Sequence, residues 1–329
     1  MNFHAKAQRT FQNRALRLCV FSLRLCVKIC VSLPILCLTV SFLICSSALG
    51  QTCLQRAEEI APPLTRETRR DFETKLAEAR KNVETAPGAD NLIWLGRRTA
   101  YLGHYKDAIK IFTQGVEEFP DDARFLRHRG HRFITLRCFD LAIADLNRAA
   151  KLIKGKADQI EPDGLPNARN IPTSTLQSNI WYHLGLAHYL KGDFKAALNT
   201  YRDAAKVSTN PDMLVATTHW QYMTLRRLGR KKEAAAVVAA IKPDLDVIEN
   251  ADYLKLIRLY QGKTTPTELL KEINGDANAL SKASIGYGLG NWFLYNDQRD
   301  EAEKIFRQVI LGNQWASFGH IAAQVELSR

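Results

Sequence analysis

The chain has 329 residues, 46% of them hydrophobic and 24% charged, enough to bury a large core. Its formal net charge of +12 points toward nucleic acid only until it is located: residues 1–50 hold six bases (Lys6, Arg9, Arg14, Arg17, Arg24, Lys28) and no acid. The other 40 bases are interspersed with 34 acids, the pattern of solvated helix faces rather than of a phosphate-binding block, so nucleic acid is excluded as the expected partner.

The first predicted element is the apolar stretch Ile29–Ile44, sixteen residues behind a basic segment and ahead of the small residues Ser46, Ser47, Ala48 and Gly50. It reads as a secretory signal peptide over residues 1–50 with a mature start at Gln51, or, if uncleaved, as a membrane anchor through residues 29–50. The protein is accordingly expected to be exported, periplasmic or secreted, or inner-membrane anchored if the segment is retained. Neither Cys45 nor Cys53 follows a lipobox, so acylation is not expected. The repeat of Arg17-Leu18-Cys19-Val20 as Arg24-Leu25-Cys26-Val27 fits a translation start further downstream. Five of the seven cysteines lie in this region, leaving Cys53 and Cys138. Two cysteines make no disulfide framework; both are read as free thiols, with a single bridge between tail and repeat turn as the alternative.

Residues 51–65 read as an extended linker. From 66 the pattern is helical, and Phe72, Leu76, Ala79 and Val83 suit an N-terminal capping helix. A period then sets in. Residues 92–120, 125–152 and 179–207 each show a helix with a glycine, a short turn and a helix that opens on an alanine. Ala108 and Ala142 lie 34 apart, Ala197 follows after an insert, Ala234 after 37, and Ala302 at twice 34. A degenerate fifth unit belongs in that double step, its second helix announced by Thr265-Pro266-Thr267-Glu268, an N-cap, a first-turn proline and a glutamate that reaches back. Repeats are expected near 91–121, 122–153, 176–209, 213–243, 249–275 and 282–312, with Trp315–Leu327 as the C-terminal cap. Gly96, Gly130, Gly185 and Gly290 are expected to let the second helix of each pair approach closely.

These residues resemble the tetratricopeptide repeat family, exported bacterial type. The third unit matches best, through Trp181, Leu184, Gly185, Gly192, Phe194, Ala197, Tyr201 and Ala204; the first offers Leu95, Gly96, Gly103, Tyr105, Ala108, Phe112 and Pro120. The resemblance spans roughly residues 66–327 and weakens in the fourth unit, where Gln221-Tyr222 stands for Leu-Gly. It implies an all-α fold, an α-solenoid of about six stacked antiparallel helix pairs wound as a right-handed superhelix. It also implies that the first helices line a concave surface, where the non-core positions are Arg97, Tyr101, Arg127, His131, Tyr182, Leu186, Tyr189, His219, Met223, Arg226 and Arg227. A basic, aromatic surface suits an extended or acidic peptide, aromatics giving contact area and guanidiniums binding carboxylates. Arg97, Tyr101, Arg127, His131, Tyr182, Tyr189, His219, Arg226 and Arg227 are the expected partner-binding residues.

The insert 153–173, with Glu161-Pro162-Asp163-Gly164-Leu165-Pro166-Asn167, breaks the period and is expected to fold as an ordered loop near the groove mouth, its exit capped by Ser174 and Gln177. His128 and His131 share a helix face but lack a third ligand, so no metal is expected. No phosphate loop, nucleophile elbow or zinc-protease motif is present; GYGLGNW at 286–292 lies inside a helix. The expected function is therefore a non-catalytic protein–protein interaction module of the cell envelope, with no cofactor. The alternatives are a membrane-anchored assembly factor and an enzyme with a site near the 153–173 loop that uses His131 or Asp163.

Overall fold

The computed structural model describes residues 52–242 and 244–329, so the expected export segment and Gln51 lie outside it. Two units separate by contact, one ending at Arg56 and the other running Ala57–Arg329. Of the first, the described residues 52–56 form one helical turn where an extended linker was expected. The second is helical throughout: α1 (Arg66–Thr85), α2 (Ala89–Tyr101), α3 (Tyr105–Glu118), α4 (Ala123–Thr135), α5 (Phe139–Ile153), α6 (Leu176–Lys191), α7 (Phe194–Val207), α8 (Pro211–Arg227), α9 (Lys231–Ala239), α10 (Ala251–Tyr260), α11 (Pro266–Asn274), α12 (Ala279–Leu294), α13 (Arg299–Leu311) and α14 (Phe318–Leu327). Among the described residues the sole β feature is an isolated bridge between Ile160 and Thr175. None of these helices is long and apolar enough to cross a membrane.

The fold is an α-solenoid. Neighbouring helices pack in sequence, and the first helices α2, α4, α6, α8, α10 and α12 touch one another in a row. The register alanines Ala108, Ala142, Ala197, Ala234 and Ala302 are all fully buried. Four units share one device. A Cβ at Gly96, Gly130, Gly185 or Gly290 would stand 2.3, 2.8, 2.7 or 2.6 Å from Phe112, Leu146, Tyr201 or Phe306, each sixteen positions later on the second helix. The fourth unit inverts the sizes, setting Tyr222 on α8 and the smaller Val238 at the matching position of α9, both buried. In the fifth, α10 packs on α8 and α12 while α11 packs on α12, which is the form its degeneracy takes. Thr265 and Glu268 form the capping box expected there.

The turn between the helices of a pair needs a residue with positive φ two positions before the second helix. Gly103, Gly192 and Gly229 supply it, but Arg137 (φ 61°) and Asp297 (φ 64°) occupy the same position in the second and sixth units. A non-glycine there costs on the order of 1 kcal/mol, so Arg137 must gain something elsewhere. Two local expectations are corrected. Cys53 and Cys138 are both disulfide-bonded rather than free. The cap of α6 is Thr175 with Ser178, not Ser174 with Gln177, because the Gln177 amide instead donates to the Lys156 carbonyl across the base of the insert.

Candidate functional site

The nine expected residues lie along the row of first helices in three settings, with Tyr189 and His219 fully buried. The first lies on α2 and α4. Trp94 is covered by two guanidiniums, Arg97 at 4.4 Å and Arg98 at 4.7 Å from the ring centre. Arg97 also donates to the Tyr101 hydroxyl at 3.3 Å. Arg127, buried one unit further on, donates to Nδ1 of His128 at 2.9 Å. Because a guanidinium can only donate, that nitrogen accepts, and His128 carries its proton on Nε2. Burial first, and Arg127 next, push the His128 imidazolium well down, so the ring is neutral. Arg132, whose guanidinium burial lowers to about 10, adds a further positive charge at this level.

The insert enters this basic surface rather than lying outside its rim. Two backbone hydrogen bonds, Glu161 N to Ser174 O and Leu176 N to Gln159 O, fold it into an extended loop. That loop delivers the Glu161 carboxylate into the surface: Arg127 binds one oxygen at 2.9 Å, the Asn179 amide donates to the other at 3.1 Å, and His128 Nε2 stands 3.8 Å away. Both partners of the ion pair are about nine-tenths buried. Further along, Arg98 donates to the Gly164 carbonyl at 2.9 Å. A Cβ on Gly164 would lie 1.6 Å from the Tyr101 hydroxyl, so only glycine lets the loop pass there. The far limb is held by Glu249, which accepts from Asn167 (2.8 Å) and Thr173 (2.9 Å). A cavity of 220 Å³ remains between Trp94, Arg97, Arg124, His128, Glu161 and Pro162.

The second setting is aromatic. His131 and His183 approach to 4.4 Å, and Phe318 of α14 packs on both, at 5.4 and 5.6 Å, and near Tyr182 at 6.1 Å. His183 donates from Nδ1 to the Asn179 carbonyl at 2.6 Å. Burial drives both imidazolium forms well down, aided by Arg132 at His131 and by Arg127 at His183. The third setting is α8 with the C-terminal segment. Arg227 binds Glu326 at 2.7 Å, and Arg226 donates to Asn296 and the Tyr222 hydroxyl. His219 is stacked 4.4 Å from Tyr253, its imidazolium lowered to about 3 by burial. Tyr189, fully buried, accepts from Tyr287 and Asn291 and lies in the core, as do Leu186 and Met223.

The structure thus brings together Arg97, Tyr101 and Arg127, pairs His131 with Tyr182 through Phe318, and sets His219, Arg226 and Arg227 apart from both. Sequence reasoning missed Trp94, Arg98 and Asn179 as site residues, and it placed His128 in a basic cluster and Glu161 in the insert without joining them. Trp94 lies one helical turn before Arg97 and Arg98, which is a readable stacking signal, whereas nothing local tied Glu161 to Arg127. Also missed was the reach of the C-terminal segment. Arg137 stacks 3.8 Å from Trp315 and hydrogen-bonds its carbonyl and Gln324, while Arg329 donates to the carbonyls of Tyr189 and Leu190. This long-range tie is what the positive-φ arginine gains. Among the described residues no cluster of three or more His, Cys, Asp or Glu is arranged to hold a metal.

Family profiles described as tetratricopeptide repeat match residues 95–157 and 178–211, the first, second and third helix pairs. Both stretches are tetratricopeptide repeats. No curated protein matches the chain by sequence. Among solved structures, the tetratricopeptide protein resembles one from Parabacteroides merdae ATCC 43184 (12% identity, TM-score 0.45, covering 79% of this chain and 96% of that one). It also resembles YrrB, titled a TPR protein with an unusual peptide-binding site (14%, TM-score 0.40, 76% and 98%), and a crystal form of MamA from AMB-1 (13%, TM-score 0.37, 59% and 98%). Stacked tetratricopeptide units present an extended surface, and the tetratricopeptide architecture is that of a protein–protein interaction module.

Proposed function

We propose that this tetratricopeptide repeat protein is a non-catalytic scaffold of the cell envelope that binds an extended, acidic peptide segment on its concave surface. The observation that carries the reading is the Arg127 site, where a carboxylate is already held by Arg127 and Asn179 between α4 and α6, with the neutral His128 ring beside it. Arg97, Arg98, Arg127 and Arg132 make that surface electropositive, while burial keeps His128, His131 and His183 neutral there. A cationic site with little water favours a carboxylate that brings its own charge balance. Trp94 and Tyr101 offer flat apolar area beside the charges, the combination that extended peptides use for anchoring. Placement in the envelope is supported by the basic and apolar pattern of residues 1–50.

Fluorescence anisotropy with labelled extended peptides of equal length and different charge tests the binding. An acidic peptide should bind, a lysine-substituted version should not, and Arg127→Glu should remove binding while the thermal transition persists. Equal affinity for the acidic and basic peptides would sink the reading. Export is checked by N-terminal sequencing of protein from a Gram-negative host: a soluble periplasmic chain that starts at Gln51 is expected, and an unprocessed chain in the cytosol would refute it.

A further inference from the structure

We infer that residues 159–165 are an internal stand-in for the partner: the insert occupies the Arg127 site as a displaceable ligand, and the partner that replaces it carries a glutamate followed by proline in an extended segment. This deepens the peptide-binding reading and rests on it.

Three observations carry the inference. The first is chemical. The groups that meet the insert are side chains of α2, α4 and α6, and they meet a carboxylate, a peptide carbonyl and a glycine, the functional groups of any extended peptide: Arg127 and Asn179 on Glu161, Arg98 on the Gly164 carbonyl, and Tyr101 against Gly164. Pro162 between them lines the remaining cavity with Trp94 and Arg97. A proline fixes φ and has no N–H to satisfy, so the segment is extended before it binds and loses little entropy there.

The second is how little apolar area the insert buries. Ile160, Leu165 and Ile171 are 67%, 54% and 45% exposed, half of the large apolar residues exposed to that degree among those described. A segment that buries so little apolar area has a low free energy of local opening, and opening leaves the helix pairs intact. The third is repulsion built into the closed state. Burial first and the Glu249 carboxylate next raise the Asp163 carboxyl above the ordinary range, with Glu161 adding to them and Arg97 drawing it back. Glu249 also ties down Asn167 and Thr173, so the acid that clamps the far limb disfavours the near one.

The test uses the full chain and a fluorescein-labelled peptide with the sequence of residues 157–166. Wild-type protein should bind it weakly, since only the open fraction is competent, and Glu161→Gln protein should bind it about tenfold more tightly because the internal competitor has lost its charge. The same peptide with glutamine for glutamate should bind neither form, and Arg127→Met should abolish binding in both. In parallel, amide exchange is followed on wild-type protein with unlabelled peptide: the Glu161 and Leu176 amides should lose protection while α7 and α13 keep theirs. That measurement holds even if the variants fold poorly. Equal affinity of wild type and Glu161→Gln, with binding still dependent on Arg127, would overturn the internal ligand and leave the acidic-peptide site standing. Absence of binding by any folded form would overturn both.

Discussion

The seam between α6 and α7 and the insert that follows α5 are both ordered, but different forces order them. In the seam, Gly185 admits the Tyr201 ring, Ala197 and Ala204 are fully buried, and the contact survives because there is no water to compete for it. In the insert, order comes from Glu161, Asn167, Thr173 and a handful of backbone bonds, while its apolar side chains face solvent. The first arrangement is stable because apolar area is removed from water, the second because specific polar groups are matched. A protein that must hold its shape and still release a segment can put the two kinds of order in different places.

The largest expected effect is acidification, which strikes the first-helix surface and spares the seams. His128, His131 and His183 are held neutral by burial and by Arg127 and Arg132, with Glu161 as the facing carboxylate. Their folded pKa values lie below the unfolded value near 6.5, so above that pH they cost nothing, and as pH falls below it the unfolded chain takes up protons that the folded chain refuses. Each contributes a loss on the order of 1.4 kcal/mol per pH unit. The urea midpoint should fall steeply between pH 7 and 5; a flat profile would mean that these rings titrate freely. Asp145 and Asp163, whose carboxyls burial raises, act in the opposite sense only at lower pH.

Next in size is a change in the seam itself. Gly185→Val should cost about 3 kcal/mol, because its branched carbon falls on the Tyr201 ring and overpacked cores relax poorly. Denaturation with unchanged midpoint would show that the seam is looser than its distances imply. Tyr201→Phe should do the reverse by a smaller amount. The Tyr201 hydroxyl is buried without a hydrogen-bond partner, so its removal should stabilise by about 1 kcal/mol, read as a raised melting temperature. The smallest global effect is expected from Glu161→Ala. The insert can swing out and hydrate Arg127, so overall stability should change by less than about 1 kcal/mol. Protease cutting between residues 154 and 175 should nonetheless accelerate; a large loss of global stability instead would make the insert part of the core.

The same contrast explains what could be read from the sequence. Spacing alone located the pairs, the buried alanines and the glycine on four of the first helices, because those units repeat the same steric problem and the answer recurs at a fixed interval. The fifth unit was legible through Thr265 and Glu268, a local signal. The concave residues were found as a set, yet their neighbours were not, since the contacts of Arg127 with Glu161, Arg137 with Trp315 and Arg227 with Glu326 span 34 to 178 positions and follow no period. The disulfide state of Cys53 and Cys138 was missed as well, since no local pattern marks a bonded cysteine.

Arg137 carries one more consequence. A row of stacked helix pairs behaves like a spring whose end coils loosen first and lengthen under pull. Here the second coil holds the last segment by a guanidinium on an indole, so stretching or fraying at the C-terminal end is resisted near the N-terminal one. Substituting glycine at 137 would ease the turn and open that loop, turning a clasped ring of helices back into a spring with a free end.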